Sequence, residues 1–231
     1  MLKGSGLSKQ IPWLRIFVEG VVIVGSILLA FGLQAWWEGL QDRQTEQSIL
    51  GELHTALSSD FDLVQSRLDR YRRIESRTEV LLSYLRSGAP YADSLDGYFG
   101  TLYGSASVRL NTAGYESLKS QGLGLISDNG LASQIARVYE QTYPSLEGSA
   151  GTEREITRGY LRPYFLAHFR NLIFDQSATP LDYQAILGDT EFLNLVDYRL
   201  QAVKQNHIQV FTRAVSEIGA LIDAISVELG G

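Results

Sequence analysis

The sequence predicts an all-α protein with one N-terminal transmembrane helix. An extracytoplasmic helical bundle follows, framed by two long antiparallel helices. Three observations carry this expectation. Ile16 to Trp37 is a run of 22 residues with one charge, Glu19. Two later segments carry apolar residues at steps of three and four, the helical period. Period-two β-branched runs, the mark of half-buried strands, are missing, so no strand is expected.

Taken in order, residues 1–15 form a short cytoplasmic segment and 16–37 the transmembrane helix. Residues 38–231 form the periplasmic domain. At ~1.5 Å per residue the apolar run reaches roughly 33 Å, enough to cross a hydrocarbon layer of about 30 Å. All three tryptophans flank it: Trp13 before, Trp36 and Trp37 at the end. Indole rings favour the bilayer–water interface, so these three are the expected interfacial anchors. A cleaved signal peptide is the rival reading, with Ala30-Phe31-Gly32 as its cleavage site. The run exceeds a usual signal core, so a retained anchor is expected.

Orientation follows from charge. Lys3, Lys9 and Arg15 precede the run with no acid among them, whereas Glu38 and Asp42 follow it. The positive-inside rule puts the N-terminus in the cytoplasm and the rest beyond the cytoplasmic membrane. From residue 38 on there are 17 basic against 25 acidic residues, a net −8. That balance disfavours nucleic acid and anionic lipid as partners. Inside the run, Glu19 has Arg15 one turn earlier, a local ion pair in the plain reading and a partner contact in the sharper one. Small residues gather here as well. Gly25, Ser26 and Ala30 permit close approach of another helix, and with Glu19 they form the expected intramembrane contact.

The first long helix carries Leu50, Leu53, Leu57, Phe61, Val64, Leu68, Tyr71, Ile74, Thr78, Leu81 and Leu85 on one stripe, and stops at Gly88-Ala89-Pro90. The last, from Glu191, carries Leu193, Val196, Leu200, Val203, Phe211, Val215, Ile218, Ile222, Ile225 and Leu229. Antiparallel pairing would bury both stripes. Between them, short helices are expected over 93–103 and 112–120. Another is capped by Asp128 and runs to about Tyr143, and a fourth covers 152–169 with a bend near Pro163. Residues 177–181 read as a loop.

Candidate chemistry is sparse. The chain has no cysteine and three histidines, His54, His168 and His207, none at metal-ligand spacing, so no metal or cofactor is expected. No phosphate loop, dinucleotide fingerprint or nucleophile elbow occurs, and nothing ties a nucleophile to a base. No enzyme activity is expected. His207 falls near the last apolar stripe and reads as a histidine at a packing seam. Arg70, Arg73 and Arg77 share a helix face and are a possible partner contact. Pairing with Asp69, Glu75 and Glu79 in the same turns is the plainer account. Tyrosines of the middle helices read as core.

Two stretches carry a resemblance. Glu19, then Ser26-Ile27-Leu28-Leu29-Ala30-Phe31, then Trp36 and Glu38 resemble the anchor of an uncharacterised bacterial family, a numbered domain of unknown function in single-span membrane proteins. Thr112 to Gly122, with Tyr115 and Gly114, is similar to that family's tyrosine-containing short helix. Ser26 stands where the family has Gly, and Gln34, Ala35 and Trp37 replace its asparagines. The resemblance implies an anchor with a helical outer domain and no known activity. The expected function is a noncatalytic accessory subunit packed against a larger membrane complex, energy-transducing, photosynthetic or transport. The alternative is a single-span sensor acting through a partner's helix.

Overall fold

In the computed structural model, residues 13–104 and 107–230 are described, with side chains from residue 17 onward. The expected cytoplasmic segment, up to residue 12, and the Trp13 side chain lie outside the described residues. The protein is 83% helical, and among the described residues one helix, near the N-terminus, is long and apolar enough to cross a membrane. Two compact units divide the chain, Met1–Gln47 and Ser48–Gly231.

Helix α1 runs Trp13–Arg86. In the first unit its residues 17–44 are all exposed. In the second, burial follows the period of the sequence. Leu50, Leu53, Leu57, Val64, Leu68 and Tyr71 are each 2% exposed or less. Gly88, at φ +67°, takes the left-handed turn that ends the run.

The middle of the chain folds as α2 (Leu95–Tyr103), α3 (Ala113–Gln121) and α4 (Asn129–Arg137). Asp128 caps α4 as its sequence position predicts, accepting from the backbone N–H groups of Gly130 and Leu131. Helix α4 does not end near Tyr143. It passes through a π turn, Val138–Thr142, into α5 (Tyr143–Glu155). A second π turn, Ile156–Leu161, leads into α6 (Arg162–His168). The extra residue of this second turn sits just before Pro163, whose ring nitrogen cannot donate, so the backbone is rearranged without being broken.

The expectation of no strand fails over 169–180. Phe169–Ile173 (β1) and Ser177–Pro180 (β2) form an antiparallel hairpin where a loop was expected. Asn171, at φ 53°, sits where the register shifts between Arg170 and Ile173, and Asp175, at φ 60°, lies in the turn between the strands. The hairpin lies on α2, where a Cβ on Gly100 would stand 2.2 Å from the Ser177 nitrogen. Only glycine allows that approach. The Asp175 N–H donates to the Gly100 carbonyl at 3.1 Å.

The chain closes with α7 (Tyr183–Gly188), α8 (Thr190–Ala202), a third π turn (Val203–His207) and α9 (Ile208–Glu228). Pairs between α1 and this last run are His54–Ser226, Glu79–Lys204 and Arg86–Asp197. One number falls as the other rises, so the two segments run in opposite directions. Ala214 and Leu221 hold the interior positions that the sequence suggested for Val215 and Ile222, which are only half-buried. Phe211, Ile218 and Ile225 are buried as the stripe predicted, so the face itself is kept and only its flank differs.

Two apolar clusters result. One joins residues 49–74 of α1 to α3, α4, the start of α5 and α9. The other joins Leu81, Leu82 and Leu85 to α2, α6, the hairpin, α7 and α8.

Candidate functional site

A layer of buried polar residues lies between these clusters. Arg199, in α8, is 0% exposed, as are Glu153 of α5 and His207 of the third π turn. The Arg199 guanidinium donates to the Leu102 and Gly104 carbonyls at the C-terminus of α2, the latter at 2.7 Å. It donates at 2.6 Å to Glu153 Oε1. One cation thereby satisfies the orphan carbonyls of a helix end, favours the negative pole of its dipole and neutralises a carboxylate.

His207 adds a second arm. Its Nδ1 lies 2.6 Å from Ser149 Oγ, while Nε2 faces Glu153 Oε2 at 3.5 Å without forming a hydrogen bond. Tyr71 stacks on the imidazole at 4.8 Å and meets Phe211 edge-on at 5.0 Å. Burial raises the pKa of the Glu153 carboxyl, but Arg199 and His207 outweigh it and hold the group below its usual value. Burial and the nearby Glu153 charge push the Tyr71 phenol well up, so it stays neutral.

The sequence offered no link between a nucleophile and a base, yet folding brings Ser149, His207 and Glu153 into a row. In a hydrolytic triad serine bonds Nε2 and the acid bonds Nδ1; here the two nitrogens are exchanged. Ser149 is 4% exposed and its two partners 0%, so no substrate reaches the hydroxyl in this conformation. The arrangement organises buried charge. One signal was readable: Arg199 sits three residues after Val196 on an otherwise apolar stripe. Glu153, four residues after Ser149 in a largely polar stretch, gave none.

The other residues singled out by sequence fall in separate places. Trp36 and Trp37 are 64% and 60% exposed. Gly25 and Ala30 are exposed, and a Cβ on Gly25 would meet nothing within 4 Å. Ser26 donates to the Val22 carbonyl at 2.7 Å, which satisfies its hydroxyl within the helix. Glu19 is exposed and engaged in an interaction within the chain. The three arginines part company. Arg70 pairs with Asp175 at 3.6 Å. Arg77 donates to Thr101 at 2.9 Å and lies over the Tyr98 ring. Arg73 is exposed.

His54 meets Ser226 at 3.0 Å, and His168 stacks on Tyr164. Among the described residues, no group of three or more His, Asp or Glu side chains is arranged to hold a metal. No family model matches the chain, and neither a curated protein nor a solved structure matches it significantly. Function therefore rests on the residues themselves.

Tyr115 stacks on Tyr139 in the first cluster, with centroids 4.6 Å apart, and Tyr143 meets Tyr139 at a tilt, 4.8 Å away. Tyr143 donates to Asp60 at 2.7 Å, and the same carboxylate oxygen accepts from the Asn111 N–H at 2.9 Å. Tyr115 donates to Glu140; burial and that bond push its phenol up to about 12. These tyrosines are core residues with satisfied hydroxyls or buried rings, as their positions in the sequence suggested.

Proposed function

We propose that the chain is a membrane-anchored, noncatalytic accessory subunit. Residues 16–37 cross the cytoplasmic membrane with the N-terminus inside. The domain from residue 38 forms a helical bundle on the periplasmic face of a larger complex. One observation carries the reading. From residue 17 to 44 every residue is exposed, including Phe17, Val24, Leu28, Phe31 and both described tryptophans. An aqueous helix does not leave so continuous an apolar surface bare; lipid or another apolar helix must cover it. Gly25, Ser26 and Ala30 let another helix approach closely, which supports protein rather than lipid on at least one face.

Gentle detergent extraction and purification through a C-terminal tag, with mass spectrometry, tests this. A partner at fixed stoichiometry is expected. Elution alone, even after cross-linking in membranes, overturns the proposal. A single-span sensor acting through a partner's helix is the second reading. It is favoured by one observation, the cationic cavity described next.

A further inference from the structure

We propose that the cavity between the α4–α5 run and α9 binds a small zwitterionic acid, of the acidic α-amino acid class. Arg137, Gln141, Thr142 and Ser145 line one wall, and Arg213 and Glu217 stand on the other. Its volume is about 170 Å³, below the roughly 300 Å³ at which sites for drug-sized ligands begin. A small metabolite, rather than a drug-sized ligand, matches that size.

Two cations border this cavity. Arg137 and Arg213 make no hydrogen bond or ion pair among the described residues, as holds for other exposed arginines such as Arg73, Arg154 and Arg158, but these two line the same cavity. Glu217, one turn beyond Arg213, accepts from the Thr142 hydroxyl. An anion bound there would meet both guanidinium groups, whose fork matches a carboxylate in two parallel bonds.

Glu217 decides the rest of the ligand. A bare dianion would meet its carboxylate unfavourably. A carboxylate has room for about four hydrogen bonds, and Thr142 uses one. The remainder suit an ammonium group. The walls thus carry two positive groups and one negative group, and free aspartate or glutamate carries two negative groups and one positive group. Gln141 supplies a neutral donor between them, while the Ser145 hydroxyl already donates to the Gln141 carbonyl at 2.8 Å and can only accept.

Local backbone supports the assignment. The π turn Val138–Thr142 turns Val138, Tyr139, Thr142 and Tyr143 inward as two adjacent pairs, which brings Thr142 to Glu217. Such turns recur at functional sites, because an extra residue redirects side chains without breaking the helix.

Calorimetric titration of the full chain in nanodiscs tests the proposal, with L-aspartate, L-glutamate, succinate and inorganic phosphate as probes. Saturable binding of an acidic amino acid is expected. Arg137→Gln and Arg213→Gln should each weaken it about tenfold, the effect of losing one charge-assisted contact at a partly exposed site. Glu217→Gln should weaken aspartate and leave succinate unchanged or improved. Both arginines are exposed and unbonded, and circular dichroism of each variant verifies the fold. No saturable binding up to about 10 mM, beyond the millimolar limit of useful affinity, overturns the proposal. So does binding that survives the double arginine variant, or phosphate or succinate binding as tightly as aspartate. The cavity lies wholly within residues 137–217, so this result is independent of whether the chain co-purifies with a membrane partner.

Discussion

Two stretches of α1 hold nearly the same kinds of apolar residue and meet opposite fates. Between residues 17 and 44, leucine, valine and phenylalanine are all exposed; between 49 and 85, leucines and valines recur with the helical period and are nearly all buried. The difference is periodicity. A stripe can be covered from one side, and here α9 with α3, α4 and α5 covers residues 49–74, while α2, α6, α7, α8 and the hairpin cover 81–85. A helix apolar on every side cannot be satisfied from one direction. Apolarity therefore sets the need for cover, and its angular spread sets what kind of cover serves.

The comparison breaks if the buried region does not depend on its interior. The largest expected effect is at the polar layer. Glu153→Ala or Arg199→Met leaves an unpaired charge among buried groups and should cost about 3–5 kcal/mol in denaturant unfolding. The double replacement Glu153→Met with Arg199→Met should cost clearly less than the sum. Additive losses would mean that the pair does not act as a unit.

Leu53→Ala should destabilise by about 2–5 kcal/mol through a core cavity, whereas Leu28→Ala should leave the same unfolding midpoint within about 0.5 kcal/mol. Equal effects would erase the contrast between the stretches. Val24→Arg reverses the test. The charge should lower partitioning of residues 17–37 into bilayers by about 2.5–3.5 kcal/mol, read as loss of carbonate-resistant membrane protein, with no change in melting of the rest.

Acid should act through Glu153. Its pKa is lowered on folding, so its stabilisation is present above the ordinary carboxylate value and is lost as pH falls through the lower, folded one. Melting temperature should drop below about pH 4, more steeply in the native chain than in Glu153→Gln. A parallel decline would assign the acid sensitivity elsewhere. The smallest effect belongs to Lys204→Ala. Its pairs with Glu79 and Glu75, at 2.7 and 4.0 Å, are substantially exposed and screened by water, so the unfolding midpoint should barely move.

The sequence made the stripes, the Asp128 cap and the Gly88 stop legible, because each depends on residues a few positions apart. It missed the hairpin because its strands are short and the first is interrupted at Asn171, where the register shifts. It also missed the continuity of α4 through α6, since a π turn has no signature in residue type. The polar layer was hardest. Glu153, Arg199 and His207 come from separate helices, and only the misplaced charge of Arg199 on an apolar stripe hinted at a buried partner. The Arg137–Arg213 cavity was invisible for the same reason, since 76 positions separate the two arginines.

The accessory-subunit account is tested most directly inside the membrane. A photo-reactive residue replacing Ala30, activated in native membranes, should give one protein adduct of defined mass, and Ala30→Leu in a chain labelled at Gly25 should weaken the adduct there. Illumination that yields only lipid adducts from both positions would contradict the account.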